Sequence, residues 1–502
     1  MRQVEGLPEL IVSVGRGRQS PAELAAIASV RVTSALAHPT QCVITWRIDS
    51  AGASIDIDPG DALRVEVGGH REPLFTGEVT VVEHGYGADR SREFRVRAYD
   101  ALHRLRKRQF TRLHEPQTIE ALARVLSEGT GLKVTGGGAW LGPFYQCARS
   151  DLDVLVEASA RVGLYPVVAG TSLNLVGLTG EGDPLELELG GNLHSADVEV
   201  SQEPSFRSAD VTGWSPATAT EITASASASP ARAEVRADAA PQSVGGGGAV
   251  LRQNDPLDSI DVATALAQAE LDVRAAGEVT VSLITDGDPR IHAGRRIRII
   301  GIASQLEGRY TACSVVHTID GRGFESAVST SPPMAPAIRH ADVTTLGVVT
   351  DDIDPEGRGR VRVALPAFAG LTSGWAPVVV AAAGADKGAV FLPAPGDTVL
   401  MLLSAADPAS AIVIGGLYGI ESIPGDGDQG TPGERFVMRT HDGQQLTFNG
   451  ADHTVRITDG HGSSIEFGPD LVRLTAATDL VIEAPGRAMR IRAQTVDFEE
   501  AL

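Results

Sequence analysis

Residues 434–502 repeat short runs with too little apolar surface in each for a core of their own. The runs are Phe436-Val437-Met438, Leu446-Thr447-Phe448, Val455-Arg456-Ile457, Ile465-Glu466-Phe467, Val472-Arg473-Leu474, Val481-Ile482, Met489-Arg490-Ile491 and Val496-Asp497-Phe498. Turn pairs separate them: Asp442-Gly443, Asn449-Gly450, Asp459-Gly460, Gly468-Pro469 and Pro485-Gly486. Strands of about four residues must stack to bury anything. Two arrangements do this, a one-chain solenoid and a three-chain intertwined prism. In the three-chain prism, the expected core is Val437, Phe448, Ile457, Phe467, Leu474, Ile482, Ile491 and Phe498.

Upstream, residues 342–420 read as a small closed β-barrel. Residues 359–365 alternate apolar and polar, as a strand with one buried face does. Apolar runs follow at 375–383, 389–392, 398–403 and 411–414, with Pro393, Pro395 and Gly396 breaking the chain between the second and third of these. Five short strands with turn chemistry between them predict a five-stranded barrel of OB type.

This stretch resembles the OB domain of phage baseplate spikes and VgrG-type proteins. The matching residues are Asp354, Pro355, Gly359, Arg360, Val361, Trp375, Phe391, Pro395, Gly396, Asp397, Gly415 and Tyr418. One departure is the stretch 404–407, Ser-Ala-Ala-Asp, where relatives carry Gly-Asp. The unit 150–175, a helix followed by a hairpin, resembles the insertion in the hub half of VgrG and phage late-control-D proteins. With these neighbours, the repeats of 434–502 resemble the triple-stranded β-helix of a phage spike, which favours three chains over a solenoid.

Composition narrows the alternatives. The chain has 502 residues and a net charge of −21, which argues against nucleic acid as the main partner. Cys42, Cys147 and Cys313 are far apart and odd in number, as neither a disulfide framework nor a metal cluster would be. The N-terminus does not read as a signal peptide, and no apolar run approaches the ~18 residues of a membrane helix. These features predict synthesis in a bacterial cytoplasm. Residues 421–502 hold 14 acidic and 7 basic residues, so a trimeric needle is expected to be acidic and to avoid anionic membrane until it is driven.

The remaining sequence reads as mainly β with helical insertions. Helices are predicted over 117–131, 150–162 and 256–276, the second capped by Ser150 and stopped by Gly163. Residues 21–37 are compatible with helix or strand. The basic run His103, Arg104, Arg106, Lys107, Arg108 and Arg112 reads as a solvated face, a nucleic-acid or lipid patch, or a subunit or tube interface. Residues 215–250 read as a loop.

The predicted organisation is a first hub barrel with its helical insertion (1–192), a second hub barrel (193–335) holding the loop 215–250, an OB collar (342–420) and a needle (434–502). No G-x-S-x-G, H-E-x-x-H or C-x-x-C motif is present, so no catalytic residue, cofactor or metal is assigned. His453 and His461 read as solvated turn residues. The resemblance implies a homotrimeric, non-enzymatic spike-hub of a contractile injection system, an extracellular phage-tail-like particle being favoured. It also implies its partners: an inner tube protein or tube initiator at the hub, baseplate proteins, a PAAR-like tip protein at the far end, and in some systems a cargo effector. The competing reading is a monomeric β-solenoid that degrades or binds polysaccharide. Aromatic residues are only 4% of the chain, which disfavours it.

Overall fold

A computed structural model describes the chain except residues 1–8, 16, 49–54, 89–91, 116, 216–219, 238–247, 258, 334–341, 386, 405–406, 422, 424–434 and 499–502. Part of the expected loop 215–250 lies outside the described residues. The chain forms two compact units, residues 1–416 and 417–502.

The first unit is built on an eleven-stranded sheet. Strand Ile27–Ala35 pairs on one side with Gln41–Ile48 and on the other with Ser314–Asp320, almost three hundred residues away in sequence. The sheet therefore runs without a break through both stretches expected as separate hub barrels. Residues 21–37 supply helix and strand in turn. Ser20 and Glu23 close a capping box on α1 (Pro21–Ala25), and the β-branched stretch Ile27–Ala35 follows as strand. One core gathers Val30, Val32, Ile44, Trp46, Val65 and Val96, all at most 1% exposed. A second gathers Leu187, Val281, Ile297, Ile299 and Val315.

The insertion between these halves has its own core. In α2 (Ile119–Leu126) the apolar residues Ile119, Leu122, Ala123 and Leu126 all face inward, and Thr118 caps the start. α2 is shorter than the predicted 117–131, because the residues after Ser127 turn and Gly129 and Gly131 adopt positive φ. α3 (Asp151–Arg161) begins at the Ser150 cap. α4 (Ile260–Ala276) packs on the three-stranded sheet of Ser208–Ser215, Thr220–Ala226 and Ala249–Pro256.

The collar stretch forms a barrel of strands Val343–Asp351, Arg360–Leu365, Thr398–Leu403 and Ala411–Gly416, with short additions at Leu371–Thr372 and Ala376–Pro377. Its core is Val349, Val361, Val363, Leu365, Val399, Met401, Leu403 and Val413. Two expected strands differ: of 375–383, only Ala376–Pro377 joins the barrel sheet. Residues 389–392 are irregular, and Phe391 is 61% exposed. Their place in the barrel is taken by Val343–Asp351, whose central Gly347 lets Val363 approach so closely that a Cβ would meet it at 2.2 Å.

The second unit holds one five-stranded antiparallel meander, Arg435–Arg439, Gln445–Asn449, Thr454–Thr458, Ser464–Phe467 and Val472–Thr475. The expected strands at 481–482, 489–491 and 496–498 are not formed in the single chain. The meander is one sheet layer and does not coil into a solenoid.

Candidate functional site

The C-terminal sheet places its residues on two chemically distinct faces. Phe436, Phe448, Val455, Phe467 and Val472 stand opposite one another across the five strands, and Met438, Leu446, Ile457, Ile465 and Leu474 form a second such row. Cross-strand partners share a face, and residues two apart along a strand share it too. These ten residues therefore make one continuous apolar face, with Phe436 and Phe448 in ring contact at 5.8 Å.

Among the described residues this face is left largely open, with Leu446, Val455 and Ile465 half-buried and the other seven exposed. Phe436 is 54% exposed, Phe448 43%, Ile457 47%, Phe467 47% and Leu474 53%. Of the expected core residues, Phe448, Ile457, Phe467 and Leu474 thus lie together. Val437 does not: it pairs with Thr447 on the opposite, polar face. The phase of the two-residue period is set by the Phe436–Phe448 pairing, which one residue per run does not reveal. Ile482, Ile491 and Phe498 lie outside the sheet and are largely exposed. Sequence reasoning missed Phe436, Met438, Leu446, Val455, Ile465 and Val472, although each strand announces them as apolar-x-apolar.

His453 and His461 sit in loops at opposite edges of the meander, after strands Gln445–Asn449 and Thr454–Thr458. Among the described residues, no group of three or more His, Cys, Asp or Glu is placed to hold a metal. No described helix is long and apolar enough to cross a membrane.

In the barrel, the motif residues act as turn chemistry. Asp354 accepts from the backbone N–H of Glu356 at 3.1 Å and of Arg358 at 2.9 Å, and it holds the Arg360 guanidinium. Pro355 and Gly359 shape that turn, Gly359 at φ 70. Val361 is in the core, and Arg362 stacks over Trp375 at 4.9 Å. Beyond Pro395, Gly396 adopts φ 97 and donates to the Val349 carbonyl at 2.8 Å, while the Asp397 carboxylate accepts from Ala394 N–H. Gly415 pairs with Leu400. Tyr418, in the second unit, is 55% exposed. The barrel also carries apolar residues on its outer face, with Leu346, Val348 and Ile414 exposed beside the half-buried Leu400, Leu402 and Ile412. Strands apolar on both faces are those that a second layer covers.

The barrel docks on the hub insertion. Tyr145 is buried, and the Gly374 backbone N–H points at its hydroxyl; burial, with the nearby Asp407 carboxylate, pushes that hydroxyl up to about 12. Burial and the same carboxylate raise the Cys147 thiol to about 11. Asp407, the last residue of the stretch that departs from relatives, lies at this seam.

The basic run serves internal joints. It forms a 3-10 turn, Ala101–Lys107, anchored by the buried Leu102 and Leu105. Arg104 holds Glu78 and the Thr130 carbonyl, whereas Arg108 and Arg112 both hold the buried Asp151 carboxylate at 3.0 Å.

Residues 50–321, more than half of the chain, match the family of the Alg8 N-terminal domain. The chain belongs to this family. Downstream of the Alg8 N-terminal domain, residues 345–418 match the type VI secretion system/phage-baseplate injector OB domain. Among solved structures, the 43 kDa tail protein of prophage MuSo2 from Shewanella oneidensis is 16% identical and aligns over 65% of this chain and 99% of its own, with a TM-score of 0.51. The E. coli c3393 protein, described as a type VI secretion component similar to the T4 tail proteins gp27 and gp5, is 11% identical over 82% of this chain and 99% of its own, at 0.51. A chain of the lidded Francisella PdpA-VgrG complex is 8% identical over 95% of this chain and 81% of its own, at 0.55. No curated protein matches the sequence. At these identities the likeness is one of fold: this Alg8-family chain has the mainly β architecture of a VgrG-like spike/hub, of the phage-baseplate and type VI kind.

Proposed function

We propose that the chain is the homotrimeric spike-hub of a contractile injection system, acting mechanically and without a catalytic step. One observation carries the reading. In addition to a hub and an injector OB barrel, the chain carries a sheet with ten apolar residues on one face, seven of them exposed among the described residues. Exposed apolar patches of this extent mark contact surfaces. Three such sheets facing inward bury one another, and the exposed Ile482, Ile491 and Phe498 extend the same prism.

In this reading the hub half meets the inner tube protein or its initiator, and baseplate proteins surround the collar. A PAAR-like protein caps the needle, and a cargo effector travels with it in systems that carry one. Contraction drives the needle into the target envelope. The host makes the chain in its cytoplasm and carries it in the assembled particle; we favour an extracellular phage-tail-like particle over a type VI apparatus.

The test is the solution mass by light scattering. Three copies of 52.4 kDa make about 157 kDa. A mass there, stable to dilution, supports the reading, and a monomer overturns it.

A further inference from the structure

The second face of the C-terminal sheet has a sign opposite to that of the chain. One row across the strands is Val437, Thr447, Arg456, Glu466 and Arg473. The next is Arg439, Gln445, Thr458, Ser464 and Thr475, and Arg435, Asn449 and Thr454 make a shorter third. Four arginines thus stand against one glutamate, and every other residue on this face is uncharged. The remaining acidic residues of the sheet region, Asp442, Asp452, Asp459 and Asp470, all lie between strands. Two of them hold local structure there: Asp459 accepts from the backbone N–H of His461 at 2.7 Å and of Ser463 at 2.9 Å, and Asp452 from the Asn449 amide at 2.8 Å. Counting charge along the chain gives an acidic needle; sorting it by the two-residue period gives basic flats with acidic edges.

The chemistry of the flat face names a partner. Arg439, Arg456 and Arg473 are exposed, and a guanidinium fork matches two oxygens of a phosphate. Glu466 stands opposite both Arg456 and Arg473 across the ladder, the one negative charge among them. No aromatic ring stands on this face, because Phe436, Phe448 and Phe467 all belong to the other. Single-stranded nucleic acid is held by stacking as well as charge, so the face lacks half of that equipment. A flat basic surface without rings fits a layer of phosphate-bearing headgroups.

We propose that this face docks on an anionic phospholipid surface, with Arg439, Arg456 and Arg473 engaging the headgroup phosphates. It rests on the spike reading for its place in function, since a needle's flanks are what pass through the headgroup layer. It also revises the expectation that the needle shuns anionic membrane.

The experiment uses the full chain with vesicles of phosphatidylcholine, with and without phosphatidylglycerol, at low and high salt. Expected is binding to the phosphatidylglycerol vesicles alone, weakened by salt. Binding should fall about fivefold for each arginine removed in the series R439Q, R439Q/R456Q and R439Q/R456Q/R473Q, and E466Q should strengthen it. Equal binding to both vesicles, or an unchanged arginine series with an unchanged E466Q, overturns the proposal. Tighter capture of a DNA oligonucleotide than of vesicles also overturns it. Should the arginine series fail to fold, E466Q alone decides. The solution mass keeps the two ideas apart: a monomer with arginine-dependent vesicle binding sinks the needle and keeps the surface, whereas a trimer indifferent to phosphatidylglycerol does the reverse.

Discussion

Asp354 and Arg360 close the first turn of the collar barrel through two parallel hydrogen bonds. Arg360 donates from Nε to Oδ2 at 2.9 Å and from Nη2 to Oδ1 at 2.8 Å, and the side chains are only 6% and 3% exposed. The guanidinium, helped by the backbone N–H groups of Glu356 and Arg358, holds the Asp354 carboxyl well below the usual carboxylate range. Removing either partner leaves a shielded charge uncompensated.

Lysine at this position keeps the charge and loses the fork. R360K is therefore expected to lower the melting temperature clearly, while R64K, which alters the exposed Arg64–Glu66 pair, changes it little. Because the folded Asp354 pKa is depressed, its stabilisation is present above the unfolded value near 3.9 and lost as pH falls through the folded value. Acid titrations of wild type and D354N should differ in that region, D354N giving the flatter curve.

His317 predicts a second pH dependence, in a higher window. It is 3% exposed between the Ser326 hydroxyl at 2.8 Å and the Ile291 carbonyl at 2.9 Å. Burial brings its pKa down to about 4, with Asp288 and His292 nearby as smaller influences. The unfolded chain, with histidine near 6.5, binds the proton first, so stability is full above about pH 6.5 and falls towards pH 4. The difference amounts to about 3 kcal/mol at most. Denaturant midpoints at pH 7.5 and 4.5 should separate more in wild type than in H317Q; equal separations would remove His317 from the account.

Trp46 anchors the first hub core. It is wholly buried, its ring lies 5.7 Å from Phe94, and its indole N–H finds no hydrogen-bond partner among the described residues. W46A is expected to cost about 3–5 kcal/mol in chemical denaturation. W46F should cost clearly less, because it keeps much of the packing and removes the unsatisfied donor.

What the sequence revealed followed physical locality. Ser150 caps α3 as its side chain foretells, and the Asp354–Gly359 turn announces its own conformation, whereas α4 begins at the Ser259 cap and not at 256. The strand Val343–Asp351 stayed hidden because Gly347 weakens its pattern, and the reason for that glycine, the Val363 side chain, is distant in sequence. The pairing of Ile27–Ala35 with Ser314–Asp320 is equally non-local. The spacing of runs fixes how many strands there are and leaves their phase open, so it does not place Val437 on the face it shares with Thr447.

That phase gives the sharpest test of the spike reading. Phe448 and Val437 lie on neighbouring strands of one sheet, yet they project from opposite faces. A carboxylate at residue 448 would sit in the buried centre of a three-sheet prism, where an unpaired charge is expelled. At residue 437 it would sit in water beside Thr447 and near Arg456. F448D is expected to shift the light-scattering mass from about 157 kDa to that of one chain, 52.4 kDa, while V437D remains a trimer. If both variants stay trimeric, the apolar face is not what joins the chains. If V437D dissociates as readily as F448D, the inward face has been misassigned.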